Sequence, residues 1–237
     1  MVISPWMTLA VFGGFLFDWL ALFLSWEKIK PLSKATAMLL VILFTVSAVG
    51  WHLDRWVGLI LCAQEFGLLG DIFLLLKAKW FKWGLASFLI GHFFYLTLMI
   101  AIFSSSYQKA ELIAFFSWWV LLALLVWLTL LGLFYGVIRE ARKNLVVSTS
   151  LWKSMQVYAW VLSGMVAISF LTVISHPYSS WQKFSLFAGS GLFLISDFLL
   201  TYHRFVRRVR RGQLLVRITY HLAQINLAWG LLLLISN

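Results

Sequence analysis

Residues 111–137 read ELIAFFSWWVLLALLVWLTLLGLFYGV, and after Glu111 this stretch carries no charged side chain. A helix advances about 1.5 Å per residue, so the run is long enough to cross a hydrocarbon layer about 30 Å thick. Seven further stretches meet the same test: 5–25, 32–50, 56–76, 83–103, 153–174, 184–203 and 213–235. The connections between them are short. The sequence therefore predicts an all-α polytopic membrane protein, an eight-transmembrane-helix bundle with short loops.

Composition supports this. The 237 residues are 62% hydrophobic and 11% charged, with a mean hydropathy of +0.93, more apolar surface than a water-soluble fold can cover. No Pro/Gly-rich linker or polar insertion interrupts the series, so residues 1–237 are expected to form a single integral-membrane domain whose chemistry takes place in or at the membrane. The N-terminal stretch lacks a basic leader, and Asp18 and Trp19 stand where small residues would mark a cleavage site, so the first span is expected to be retained. Cys62 is the single cysteine, which excludes an intramolecular disulfide and a thiolate metal cluster.

A net charge of +11 would point to nucleic acid in a soluble protein, but its distribution points to topology. The loops after odd-numbered spans and their flanks hold Lys28, Lys30, Lys34, Lys77, Lys79, Lys82, Arg139, Arg142, Lys143, Lys153, Arg204, Arg207, Arg208, Arg210, Arg211 and Arg217, which is 16 of the 19 basic residues. Arg55, Lys109 and Lys183 alone belong to the other side. The positive-inside rule then places the odd loops in the cytoplasm and both termini outside. The run from Arg204 to Arg211 reads as a topology anchor that meets anionic lipid headgroups, with no nucleic-acid partner expected. Trp26, Trp51, Trp56, Trp80, Trp83 and Trp181 fall at interfaces, where indoles settle.

An ionised side chain in hydrocarbon costs at least a few kcal/mol, so acids within spans are expected to face the bundle interior. Glu27, Asp54, Glu111 and Glu140 fall in loops or at span ends, leaving Asp18, Glu65, Asp71 and Asp197. The orientation puts Asp18, Asp71 and Asp197 in the cytoplasmic halves of their spans and Glu65 nearer the middle. His92 and Tyr95 share a face of the fourth span at i,i+3, and Tyr220 and Gln224 share a face of the eighth at i,i+4. His221 and Asn226 lie on the same span, and Gln156 and Tyr158 start the sixth. Lys30 precedes Pro31, which suits the first turn of a helix. Tyrosines and amides of this kind also serve as packing and interhelical glue. No H-E-x-x-H spacing and no G-x-S-x-G elbow occurs, and Gly189-Ser190-Gly191 fits close helix packing better than catalysis.

In chain order these residues fall in strings that resemble the YhhN family, also called the transmembrane lysoplasmalogenase family. The strings are Lys30-Pro31-Leu32; Leu69-Gly70-Asp71; SFLIGHFFY, containing Gly91, His92 and Tyr95; Val157-Tyr158 with Gly164-Met165; GSGLFLISD, ending at Asp197; and Tyr220 with Ala223-Gln224. The resemblance implies eight spans and hydrolysis of the vinyl ether bond of lysoplasmalogens, giving a fatty aldehyde and a glycerophospho-base, with no cofactor and no metal. It also implies a lysophospholipid substrate and, for a bacterial member, an inner-membrane location with the site facing the cytoplasmic leaflet.

Vinyl ether hydrolysis protonates the β-carbon and passes through an oxocarbenium-like ion that water captures. As in glycosidases, two carboxyl groups in unlike surroundings can divide the tasks of acid and stabiliser. Asp71 and Asp197 are the expected pair, their roles left open. His92 and Tyr95 are expected to position water or relay its proton, Tyr158, Tyr220 and Gln224 to hold the polar part of the substrate, and Lys30 to meet its phosphate. A proton-coupled transporter or lipid-binding membrane protein would account for the buried acids equally well, although Pro5, Pro31 and Pro177 all lie at span ends, not at midplane breaks. A scaffold role would make the polar cluster dispensable.

Overall fold

Pro5 and Pro31 stand in the first turns of the first two helices, where no backbone N–H is needed. Asp54 starts the third by accepting from the Trp56 and Val57 amides at 2.9 and 2.8 Å. The computed structural model describes residues 4–50, 52–105, 118–143, 147–174 and 180–236, so Trp51, Lys109, Glu111 and Pro177 lie outside the described residues. The helices are α1 (Pro5–Phe23), α2 (Lys30–Ala48), α3 (Arg55–Leu75), α4 (Phe81–Ser105), α5 (Trp119–Lys143), α6 (Thr149–Ile174), α7 (Ser180–Phe205) and α8 (Gly212–Ile235). All eight are long and apolar enough to cross a membrane.

The expected boundaries differ where the chain leaves the hydrocarbon. The start of the fifth span falls outside the described residues, and its helix continues past Val137 to Lys143 through IREARK, residues that favour helix, with Glu140 and Lys143 paired at 2.5 Å. Likewise α6 begins at Thr149 and α7 ends at Phe205, because hydropathy registers the apolar layer and the backbone keeps its helix into the interface.

α8 lies at the centre, against α1, α2, α3, α4 and α7, while α6 packs on α4, α5 and α7. α5 and α1 are the most outward-facing spans. The α7/α8 interface is the most extensive in the bundle, and two glycines allow it: a Cβ at Gly189 would sit 2.8 Å from Leu227 N, and one at Gly230 2.9 Å from Leu186 N. Gly191, in contrast, faces open space. α3 and α4 approach in the same way, with Gly91 against the Ala63 carbonyl.

One end of the bundle gathers the starts of α2, α4, α6 and α8 and the ends of α1, α3, α5 and α7. Cross-helix contacts there include Arg142 over Trp152 at 4.0 Å and Phe81 against Phe205 at 5.3 Å. The basic connections of the sequence lie at this end.

Candidate functional site

α3 turns Ile60, Ala63, Gln64, Gly67, Gly70 and Asp71 inward, at the three- and four-residue spacing that puts side chains on one helix face. Glu65 lies off that stripe and is exposed, which corrects the expectation that it faces the interior. Asp71 is fully buried, and the Lys34 Nζ stands 2.7 Å from its Oδ1. Lys34 is four positions into α2 and Asp71 four positions from the end of α3, so the two charges meet at one depth. A buried carboxylate without a cation would be several kcal/mol less stable, which gives Lys34 its place inside the bundle. Lys34 Nζ also lies 5.7 Å from the centre of the Tyr220 ring, and the Tyr220 hydroxyl is a further polar neighbour of Asp71.

Asp197 projects from α7 and accepts a hydrogen bond from the Tyr158 hydroxyl of α6. It has no salt bridge among the described residues, although Asp71 and Lys34 are within electrostatic reach. His92 Nδ1 is 2.5 Å from the Phe88 carbonyl. A carbonyl only accepts, so Nδ1 carries the proton of the neutral ring and Nε2 presents its lone pair. That Nε2 is buried without a hydrogen-bond partner among the described residues. The ring stands edge-on to Tyr158 at 5.4 Å and to Phe193 at 4.4 Å, which joins it to the Asp197 side of the cluster.

The Tyr95 hydroxyl donates to Gln224 Oε1 at 2.9 Å, and Gln224 Nε2 donates to the Tyr220 hydroxyl at 3.3 Å. A Cβ at Gly67 would lie 3.1 Å from Gln224 Nε2 and 3.3 Å from the Tyr220 oxygen, so glycine leaves these polar groups their room. From Asp197 and Tyr158 a narrow apolar cleft runs between Leu85, Phe88, Met155 and Leu200 to Phe81 at the basic end, with space for about one water as it stands. Asp71 and His92 do not line it.

Of the residues expected from the sequence, Asp71, Asp197, His92, Tyr95, Tyr158, Tyr220 and Gln224 are all buried and connected by these contacts. Lys30 stands apart, with its ammonium on Glu27. Gln156 lies in the groove between α5 and α6, and Asn226 Nδ2 bonds to its own helix at the Leu222 carbonyl, 2.8 Å away. Lys34 and Arg217, counted in the sequence as loop charges, are mostly buried within α2 and α8, each on an aspartate. Their signal was matched depth: each lies as far into its helix as its partner lies from the end of its own. Among the described residues no group of three His, Cys, Asp or Glu side chains is arranged to hold a metal ion.

No curated protein and no solved structure matches the chain. The model of the YhhN family matches residues 29–231, which run from the start of α2 almost to the end of α8 and include every residue of the cluster around Asp71 and Asp197. This eight-helix chain belongs to the YhhN family.

Proposed function

We propose that this protein is a lysoplasmalogenase-type ether hydrolase, cleaving the vinyl ether bond of lysoplasmalogens to a fatty aldehyde and a glycerophospho-base. The family is known for that activity. The observation that carries the reading is a pair of buried carboxyl groups in unlike settings: Asp71 on the Lys34 ammonium, and Asp197 on a tyrosine hydroxyl beside an apolar cleft.

Those settings divide the work. Asp197, bonded to Tyr158 and without a salt bridge among the described residues, is the proton donor, and it transfers its proton to the β-carbon of an alkenyl chain that enters as the cleft opens beyond its present space. The adjacent carbon becomes an oxocarbenium ion, whose positive charge the Asp71 carboxylate, within electrostatic reach of Asp197 though outside the cleft wall, stabilises through the low-dielectric interior. Water adds to that carbon, and His92 Nε2, with its lone pair free, accepts a proton from it. The hemiacetal breaks to the aldehyde and the glycerol hydroxyl, and a proton returns to Asp197, so one water is consumed and the protein is unchanged. Tyr95, Gln224 and Tyr220 fix the polar wall on the Asp71 side. The Arg204 guanidinium, 4.3 Å from the Phe81 ring at the cleft's end, supports a phosphate contact at this end, whereas the Lys30 ammonium is paired with Glu27. The positive-inside pattern supports a site that faces the cytoplasmic leaflet of the membrane.

The test is aldehyde release by purified protein supplied with lysoplasmalogen. Wild type should release it, and Asp71→Asn and Asp197→Asn should each lose most of the rate while remaining folded. Full activity in both folded variants overturns the mechanism. Substrate-dependent proton flux in proteoliposomes with no aldehyde formed overturns the activity itself and favours a transporter.

A further inference from the structure

Asp18 of α1 is fully buried, precedes the first residue of the family match, and has no part in the reaction described above. Arg217 Nη1 is 2.5 Å from its Oδ1, and the Ser33 hydroxyl donates to the same oxygen at 2.7 Å. His221 Nε2 stands 4.0 Å from Oδ2. Its tautomer follows from the opposite side of the ring, where Trp19 Nε1–H donates to Nδ1 at 3.0 Å, so the proton of the neutral imidazole is on Nε2 and faces Asp18. Phe15 stacks on that ring with centroids 4.6 Å apart. Arg217 Nη1 also reaches the Lys30 carbonyl at 3.4 Å, which keeps the guanidinium on the α1/α2 side.

Each of these partners adjoins the candidate site. Ser33 immediately precedes Lys34 on α2. On α8, Arg217 is followed at three, four and seven residues by Tyr220, His221 and Gln224, all on one face. Arg217 is within electrostatic reach of Asp71, and Lys34 within reach of His221. Asp18, Asp71, Lys34 and Arg217 thus form two neighbouring buried ion pairs whose charges sum to zero.

We infer that Asp18 is a positioning residue: by holding Arg217 and Ser33 on the α1 side, it keeps Arg217 off Asp71 and leaves Lys34 as the cation paired with that carboxylate. Without the Asp18 charge, Arg217 is a stranded buried cation, and Asp71 is the buried anion left within its reach. A carboxylate held by two cations stabilises an oxocarbenium ion less well. The kinetic consequence rests on the proposed hydrolase reading; the electrostatic arrangement does not.

The test compares purified wild type, Asp18→Asn, Arg217→Gln and the double variant on lysoplasmalogen. Asp18→Asn should lower kcat about tenfold or more with KM held within about threefold, because the chemistry and not the binding is disturbed. The double variant, with the stray cation gone, should recover to within about threefold of wild type. A double variant no faster than Asp18→Asn, or full activity in Asp18→Asn, overturns the inference. Should Asp18→Asn not fold, a folded and active double variant supports it and an unfolded one counts against it. If wild type releases no aldehyde, the functional reading fails alone, and unfolding midpoints decide. Asp18→Asn with Asp71→Asn, which strands both cations, should then lose more than the two single variants summed, and strict additivity overturns the inference.

Discussion

Replacing Lys34 with methionine removes the ammonium 2.7 Å from Asp71 but keeps an unbranched stem of similar length. At an effective dielectric of about 20, unit charges at that separation attract by about 6 kcal/mol. Both side chains are almost wholly out of water, so much of that attraction offsets their desolvation. Leaving one partner behind is therefore expected to cost about 3–5 kcal/mol. Lys34→Met with Asp71→Asn removes both charges and should regain most of that loss, while remaining inactive because the stabilising carboxylate is gone. Detergent-to-denaturant titration of the purified protein measures this through its 14 tryptophans. If Lys34→Met unfolds at the same point as wild type, or if the double variant is no more stable than the single, the claim that Lys34 exists to hold Asp71 is wrong.

Tyr158→Phe removes the donor on Asp197, and with hydrogen bonds to charged groups contributing about 1.5–3 kcal/mol, kcat should fall about 10- to 150-fold in a folded protein; an unchanged kcat separates this tyrosine from the reaction. Met155→Phe takes up the space beside Tyr158 and Asp197, so kcat/KM for long-chain substrate should fall at least tenfold while the unfolding midpoint stays within about 1 kcal/mol of wild type. Equal turnover in that variant means the chain lies elsewhere. Gly189→Val drives a Cβ to 2.8 Å from Leu227 N at the α7/α8 crossing and should lower unfolding stability by about 1–3 kcal/mol, measured by the same titration; no loss would show that the two helices can part there without cost.

The eight spans were legible because apolarity over about 20 residues is a property of composition alone. Their ends were less so: at Ile138–Lys143 polarity returns while helix propensity persists, and hydropathy follows only the first. Asp71 and Asp197 stood out because a buried acid demands a reason, and spacing put Tyr95 with His92 and Gln224 with Tyr220. Lys34 and Arg217 were hidden by position. A cation within the first turns of a span reads as a topology anchor, and only a partner on another helix changes that meaning. Glu65 was misplaced for the opposite reason, since depth was weighed and the helical stripe through Gln64, Gly67 and Asp71 was not. Gly67 carries no chemistry of its own, and only the neighbouring Gln224 and Tyr220 make its missing side chain matter.

In the proposed reaction a protein acid protonates the β-carbon of a vinyl ether inside this bundle. Purified protein turning over lysoplasmalogen in deuterium oxide, with the aldehyde reduced at once and its mass recorded, tests it directly. One deuterium is expected at carbon 2 of the released chain, lost together with the product in Asp197→Asn. Aldehyde released by wild type without that deuterium, or no aldehyde at all, would contradict it.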